Sequence, residues 1–225
     1  MNKRLILAMA SVCAAILALP AIASAGTWHA EPSTAATPFT TTTAGHGNVL
    51  LVTPNRTTTC NAAPSSTGSG SVNVGGTTGT ISLKFHHCES LGTTCTTPGQ
   101  PIGTIVTSPN LVFHNILIEK NTPGILLTGV GASTQIMHYT CGFELVTLNV
   151  TGGVIGHVEQ ACGTKGKKFS LNFEAPGGNQ KFTQETTTGS KTDLTATVNG
   201  TPETGGLTGT FTMEFGAVER TITCT

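Results

Sequence analysis

The sequence predicts an all-β protein: an antiparallel β-sandwich or barrel-like domain of about a dozen short strands, stapled by disulfides. Its 225 residues include 43 threonines and 28 glycines. Threonine is β-branched and favours strands, whereas glycine supplies turns. Short alternating apolar and polar segments recur at intervals of roughly 8 to 12 residues, and none has a helical period. The number of cysteines beyond the N-terminal leader is even, as a disulfide framework requires.

The first 25 residues predict a secretory signal peptide. Lys3 and Arg4 precede an apolar run over residues 5–19, and Ala23 and Ala25 satisfy the small-residue rule for cleavage. The run is shorter than the ~20 residues that a membrane-spanning helix needs. No other segment is long and apolar enough to span. We therefore expect a secreted mature chain, extracellular or in the cell envelope, without a transmembrane segment.

The expected mature chain carries little charge. Once the basic pair of the leader is removed, nine Lys and Arg residues face eleven Asp and Glu residues, a net charge of −2. No basic stripe is present, so nucleic acid is not an expected partner. The glycine-rich segment "GSGSVNVGG" lacks the lysine and following helix of a phosphate-binding loop, and no cofactor is expected.

The elements follow in order from these patterns. Residues 26–44, rich in Thr, Ala and Pro, predict an extended arm that contributes one edge strand. Residues 45–225 form the all-β domain, either one unit or two packed halves divided near 116–124. Loops are predicted at 65–71 ("SSTGSGS"), 95–101 and 174–180 because Gly and Pro cluster there. The predicted strands lie in NVLLVT, GTISLKFHHC, IGTIVT, NLVFHNILIE, GILLTGV, TQIMHYTC, FELVTLNVT, GVIGHVEQ, KKFSLNFE, DLTATVN, GLTGTFTMEF and ERTITC.

Six cysteines outside the leader are the disulfide candidates. In an oxidising compartment they predict three bridges, among 15 possible connectivities. A hairpin turning near 151–153 favours Cys141 with Cys162, and the segment between Cys60 and Cys88 favours that pair in the same way. Cys95 would then pair with Cys224. A Cys88–Cys95 loop is the main competitor. The candidates are Cys60, Cys88, Cys95, Cys141, Cys162 and Cys224.

Several segments together resemble a known group of proteins. "KFHHCESLGTTCTTPGQPIGTIVT" contains an F-H-x-C strand end followed by C-T-x-P-G-Q-P-x-G-T-I, and "TCGFELVTLNVTGGVIG", "FSLNFEA" and "DLTATVNG" follow. These segments are similar to those of uncharacterised exported proteins of actinobacteria, and the likeness covers most of residues 40–215. The resemblance implies a bacterial exported β-protein. It implies no activity, and no functional residue carries over from it.

The stretch "FHHCESLGTTC" raises the possibility of a metal site. His86 or His87 with Cys88 and Cys95 would supply zinc ligands. The six-residue gap between the cysteines is too long for a zinc pair, however, and on a strand the two histidines face opposite sides. We expect His87 to cap the core-facing row, His86 to be solvated and no metal to bind.

Catalytic motifs are sparse. The single aspartate, Asp193, lies in a Thr-rich segment, and no G-x-S-x-G elbow is present. His138 and Cys141 would face opposite sides of a strand, and an even cysteine count leaves no spare thiol. No catalytic residue is assigned.

Sugar chemistry would need paired carboxylates or stacking aromatic rings. The strand glutamates Glu144, Glu174 and Glu214 are candidates for a pair that would hydrolyse a glycoside. Platforms for sugar stacking are few, because the chain has one tryptophan and one tyrosine, Trp28 and Tyr139. Trp28 lies near the expected N-terminus, where order is least expected.

The sequence thus favours a secreted, non-catalytic β-domain with a binding or structural role toward an extracellular or envelope ligand. The alternatives are an envelope-associated or extracellular hydrolase that uses a glutamate pair and an extracellular metal-binding protein that uses histidines. An exposed aromatic cluster or a flat polar face would favour binding. Two glutamates about 5 to 10 Å apart in a cleft would favour hydrolysis. Three convergent histidines would favour metal binding.

Overall fold

In the computed structural model, described for residues 26–43, 49–61, 65–131, 134–184 and 191–225, the chain is built almost wholly of β-strands. The predicted signal peptide lies outside these residues. Across the described ranges, no helix is long and apolar enough to cross a membrane. The all-β prediction is confirmed, and the strands are β1 Trp28–Glu31, β2 Thr37–Thr43, β3 Val49–Val52, β4 Thr57–Cys60, β5 Thr67–Val72, β6 Thr78–Phe85, β7 Cys88–Ser90, β8 Thr93–Thr96, β9 Ile105–Val106, β10 Leu111–Glu119, β11 Thr122–Thr128, β12 Gln135–Cys141, β13 Val146–Val158, β14 Lys165–Gly166, β15 Lys168–Phe173, β16 Leu194–Val198, β17 Thr201–Glu214 and β18 Arg220–Cys224.

Antiparallel pairing joins most strands into two closed circuits of eight. The first circuit runs β6-β10-β11-β13-β15-β17-β2-β5 and returns to β6. The second runs β12-β13-β16-β17-β3-β4-β7-β8 and returns to β12. The circuits share the two longest strands, β13 and β17, of 13 and 14 residues. The residues proposed as a boundary between halves, 116–124, fall in the β10–β11 hairpin of the first circuit.

Each shared strand changes partners along its length. The first part of β13 pairs with β12 and β16, and the part after Gly152 pairs with β11 and β15. Gly152 has a positive φ of 95°, and a Cβ there would run into the Asp193 carbonyl. Glycine is therefore needed where the strand passes from one circuit to the other.

One continuous apolar core fills both circuits. Aromatic contacts organise the first circuit, with Phe113 and Phe215 both packed on Phe39 at ring distances of 5.9 and 5.6 Å. In the second circuit, the Tyr139 hydroxyl meets the Thr58 hydroxyl at 2.9 Å. The internal space there measures about 10 Å³, roughly one water molecule. This internal space is too small for any ligand larger than a water molecule.

The N-terminal arm is more ordered than the sequence suggested. Strand β1 joins β18 and β14 in a separate three-stranded sheet, and β2 lies between β5 and β17 rather than at an edge. Trp28 is 2% exposed, and its Nε1 donates to the Gly124 carbonyl at 2.8 Å. The arm supplies the expected edge strand, β1, and also a second strand, β2, that lies inside its sheet. The expectation of a poorly ordered tryptophan was wrong, because the indole anchors the arm on the β10–β11 hairpin.

All six cysteine candidates form disulfides, and one expected pair, Cys60–Cys88, is present. The other bridges are Cys95–Cys141 and Cys162–Cys224, so the expected Cys141–Cys162 and Cys95–Cys224 pairs and the competing Cys88–Cys95 loop are wrong. The cause is the absence of a turn at 151–153. Strand β13 continues through that segment, and about 40 Å of extended chain separates Cys141 from Cys162.

One predicted loop is also a strand. The segment 65–71 contributes most of β5, which lies between β2 and β6. A Cβ at Gly70 would overlap the Phe39 ring. The glycines that suggested a flexible connector instead make room for a core aromatic side chain.

Candidate binding groove

The His/Cys stretch folds differently from the expected alternating strand. Strand β6 ends at Phe85, and His87 adopts a positive φ of 49° in the turn before β7. The turn resets the alternation, so His87 is exposed, His86 is half-buried and Cys88 is buried. The expectation that His87 caps the core and His86 is solvated was therefore wrong. Cys88 and Cys95 are both consumed in disulfides.

The other candidate groups are dispersed. Glu174 and Glu214 form surface ion pairs with Lys181 and Lys168 at 2.8 and 3.0 Å, and Glu144 stands on an exposed turn. Throughout the described ranges, no three His, Cys, Asp or Glu side chains group closely enough to hold a metal ion.

Neither Trp28 nor Tyr139 offers a surface for sugar stacking. Both side chains lie in the core, and Tyr139 is fully buried. Burial raises the pKa of the Tyr139 hydroxyl well above its ordinary value, because the phenolate would be poorly solvated there. These two residues belong to the packing of the protein.

An exposed groove of about 680 Å³ lies on the outer face of the second circuit. We call it the apolar groove; its lining comprises residues 92–94, 96–99, 102, 140 and 142–145. The floor is formed by β8 and β12, which are paired in the register Thr96 to Thr140 and Cys95 to Cys141. Because side chains alternate along a strand, Thr94, Thr96 and Thr140 face outward while the cysteines face the core.

Three large apolar side chains of this lining are open to solvent, and so is Leu91, which immediately precedes the lining residue Gly92. Leu91, Ile102, Phe143 and Leu145 are 74, 83, 101 and 79% exposed. The only other exposed large apolar residues in the described part of the chain are three scattered valines. In general, a cluster of apolar side chains exposed to solvent marks an interaction site, whereas single exposed apolar residues are ordinary.

The backbone holds two of these side chains outward in an unfavourable conformation. Phe143 and Glu144 have φ values of 54° and 68°, and Leu91 has a φ of 50°. Left-handed backbone costs a non-glycine residue about 1 to 2 kcal/mol. Such residues persist where the surrounding structure dictates them, and they concentrate at functional sites.

Covalent and hydrogen-bonded ties make the groove rigid. The Cys95–Cys141 bridge joins β8 to β12 beneath its floor, and the Cys60–Cys88 bridge joins the neighbouring strands β4 and β7. The loop carrying Ile102 folds onto the floor, where the Gly103 N–H donates to the Thr96 hydroxyl at 2.9 Å. The Gly103 carbonyl accepts from the Cys88 N–H, also at 2.9 Å. A groove fixed in this way loses little conformational entropy on binding.

The groove offers few polar groups. The Thr93 and Thr97 hydroxyls donate to backbone carbonyls at 2.7 and 3.1 Å. The Thr96 hydroxyl oxygen accepts from the Gly103 N–H. Among the residues that the structure describes, the hydroxyls of Thr94 and Thr140 have no protein partner. A mostly apolar groove with two open hydroxyls suits an apolar ligand that also presents a few hydrogen-bonding groups.

Charges lie only at the margins. Glu144 is the one charged residue of the lining, and Glu89 on β7 pairs across from Thr94. The opposite corner carries His87, whose Cα lies 3.6 Å from the position a Gly103 Cβ would take. Burial, followed by the charges of Lys84 and His87, lowers the pKa of the neighbouring His86.

Sequence reasoning missed this groove because it assigned Phe143 and Leu145 to a strand. That strand begins only at Val146. A signal was present: Leu91, Ile102 and Phe143 each adjoin a glycine, in "LG" at 91–92, "IG" at 102–103 and "CGF" at 141–143. Leu145 follows Phe143 two residues later. Apolar residues beside turn glycines have no strand face to bury them.

Comparison of the chain with protein-family models, with curated proteins and with solved structures gives no match. The groove and the fold around it are therefore the basis for assigning a function.

Proposed function

We propose that this protein is an exported, non-catalytic binding domain of the actinobacterial group it resembles, and that it binds an apolar segment of a protein in the apolar groove. The observation that carries the proposal is the set of exposed side chains Ile102, Phe143 and Leu145, which line a rigid groove of about 680 Å³. The three disulfides suit an oxidising compartment and support export.

The chemistry of the groove favours a polypeptide ligand. A volume of about 680 Å³ accommodates a few side chains, and pockets for small ligands span a similar range, about 300 to 1,000 Å³. An exposed aromatic ring surrounded by aliphatic residues is the usual composition of an interface centre. The open Thr94 and Thr140 hydroxyls can bond to the backbone of an extended segment.

The charges argue against the other large partners. Nucleic acid and anionic lipid both require basic residues at the contact surface, whereas Glu144 lies in the lining and Glu89 beside it. Sugar recognition would depend on aromatic stacking, and Phe143 is the only aromatic ring of the groove.

A peptide selection tests the proposal. Random dodecapeptides displayed on phage are selected on the disulfide-intact exported protein, and enriched peptides are measured by fluorescence anisotropy. The Phe143→Asn/Leu145→Ser variant should bind them at least tenfold more weakly, since central apolar anchors carry most of the binding energy. Asparagine is chosen because it tolerates the positive φ.

The matched control is Val74→Ser, which removes an exposed apolar side chain in the turn between β5 and β6. It should bind the peptides like the unaltered protein. Peptides that bind all three proteins equally, or a selection that enriches no peptide, would contradict the proposal.

A further inference from the structure

We propose that the polypeptide segment bound in the apolar groove carries a basic residue beside its apolar side chains, and that Glu89, Glu144 and the ring of Phe143 hold this basic residue. The inference rests on the proposed function, because it names the chemistry of the segment that the groove binds. Three features support it: the position of the two carboxylates, their lack of partners, and the exposed ring beside them.

The two carboxylates lie on either side of Thr94. Glu89 on β7 is the antiparallel partner of Thr94, and both residues are exposed, so their side chains are neighbours on the outer face. On the other side, the Gly142 N–H donates to the Thr94 carbonyl at 3.0 Å, and Glu144 follows in the same exposed turn. A basic side chain that lies over Thr94 would therefore be within reach of both carboxylates.

Neither carboxylate is neutralised within the described part of the chain. The ion pairs found there use Glu174, Glu214 and Glu219. Glu89 and Glu144 have neither an ion pair nor a hydrogen bond to a side chain among these residues. Two like charges without a counter-charge leave a negative potential at this end of the groove, and such a potential attracts a cation.

The cations of neighbouring strands do not supply that counter-charge. Arg56, just before β4, influences the pKa of Tyr139, which burial raises, so its guanidinium lies on the inward side of the second circuit. Lys84 lines a different groove, formed by β5, β6 and residues 106–109 on the first circuit. Among the described residues that line the apolar groove, none is a lysine or an arginine. The basic group must therefore come from the ligand.

The ring of Phe143 adds a second attraction for a cation. Phe143 is fully exposed and directly precedes Glu144, and both residues are held in left-handed backbone. A cation over an aromatic face is stabilised by the electrons of the ring, and a guanidinium can stack there while it pairs with a carboxylate. Arginine is therefore the basic residue that suits this end of the groove best. The apolar side chains of the same segment would contact Leu145 and Ile102.

The first test uses the random dodecapeptides displayed on phage and selected on the disulfide-intact exported protein. Peptides that require Phe143 and Leu145 for binding should be enriched in arginine and lysine relative to the unselected library. The most enriched peptide is then synthesised with its basic residue kept or replaced by glutamine or glutamate. Glutamine should weaken binding about two- to fivefold, as expected for an exposed charge pair, and glutamate should weaken it further.

Matched variants of the protein test which carboxylates are used. Glu89→Gln and Glu144→Gln should each weaken binding of the basic peptide about two- to fivefold. The control is Glu119→Gln, at the exposed end of β10 on the first circuit, which should leave binding unchanged. Raising NaCl from about 0.05 to about 0.5 M should weaken binding to the unaltered protein and have little effect on Glu89→Gln/Glu144→Gln.

A charge reversal gives the sharpest result. Glu89→Lys/Glu144→Lys should bind the glutamate peptide more tightly than the basic peptide, because the repulsive and attractive pairings exchange. An unchanged order of preference would overturn the inference. The glutamine variants keep the size of the side chains, so they test the same contact in a protein whose fold is not altered.

The outcomes separate this inference from the proposed function. Peptides that depend on Phe143 and Leu145 but show no excess of basic residues, or that bind Glu89→Gln/Glu144→Gln as tightly as the unaltered protein, would retain the binding function and overturn the charged contact. Basic peptides that bind Phe143→Asn/Leu145→Ser as tightly as the unaltered protein would reflect general charge attraction and would contradict both.

Discussion

The two closed circuits share β13 and β17 but are stabilised by different means. Phenylalanine rings fill the first circuit, where Phe39, Phe113, Phe169 and Phe215 contact one another at 5.6 to 5.9 Å. The second circuit places two disulfides on its inner face and presents an aromatic side chain, Phe143, to solvent.

The two circuits therefore obtain their stability from different interactions. Aromatic packing in the first circuit gives cohesion through burial alone, whereas the second circuit leaves apolar area outside and compensates with covalent bonds. Strained turns and exposed apolar groups reduce stability, and disulfides restore it by restricting the unfolded chain. The circuit with the bridges is therefore the one suited to carry a binding surface.

The largest expected effect comes from the aromatic core. Phe113→Ala should destabilise the protein by about 3 to 5 kcal/mol, because the buried ring is lost and a cavity remains beside Phe39. Urea unfolding followed by the fluorescence of the single tryptophan, Trp28, measures it. A loss below about 1 kcal/mol would mean that the first circuit does not depend on its aromatic contacts.

The second-largest effect should come from removing one disulfide, either the one under the groove or the one that joins β18. Cys95→Ser/Cys141→Ser should lower the free energy of unfolding by about 2 to 4 kcal/mol and weaken peptide binding, since the bridge lies under the groove floor. The control, Cys162→Ser/Cys224→Ser, removes the bridge to β18 and should cost similar stability with peptide binding retained. Equal loss of binding in both variants would show that the bridge under the groove has no local role.

The sequence predicts some of these elements and not others, and the difference depends on whether the structure is set by local or by distant contacts. Alternation in "KKFSLNFE" and "GLTGTFTMEF" predicted β15 and β17, because strand periodicity is a local property. The route of β13 was not predictable, since its glycines at 152–153 resemble a turn and only the neighbouring strands show that it continues. Two of the three disulfide pairs depended on that route. The groove depends on turns that join distant strands, so its residues could be noticed only as apolar positions beside glycines.

Tyr139 gives a pH-dependent test of the second circuit. Its pKa is raised by burial, so the folded state holds the phenolic proton more tightly than the unfolded state does. The resulting stability is fully present below the unfolded pKa of about 10 and is lost as pH rises above it. Tyr139→Phe should remove this alkaline decline and, at pH 7, cost about 1 to 2 kcal/mol through the Thr58 hydroxyl left without its partner.

Because Tyr139 is the only tyrosine, absorbance at 295 nm reports its ionisation without interference. In the native protein, tyrosinate should form only together with unfolding, as followed by Trp28 fluorescence. Ionisation near pH 10 in a protein that remains folded would show that water reaches the Tyr139 hydroxyl inside the second circuit.

The smallest effect on stability should come from the most exposed aromatic side chain. Phe143→Asn removes a ring that is fully exposed and places at φ 54° a residue that tolerates left-handed backbone. The free energy of unfolding should therefore stay the same or rise by up to about 1 kcal/mol, the reverse of Phe113→Ala. The measurement is urea unfolding, with Val74→Ser as the control. That variant also replaces an exposed apolar side chain and should change stability by less than about 0.5 kcal/mol. Destabilisation above about 1 kcal/mol would mean that Phe143 packs against the protein. A neutral or stabilising result together with weaker peptide binding would show that the strain at this turn is maintained for the ligand and not for the fold.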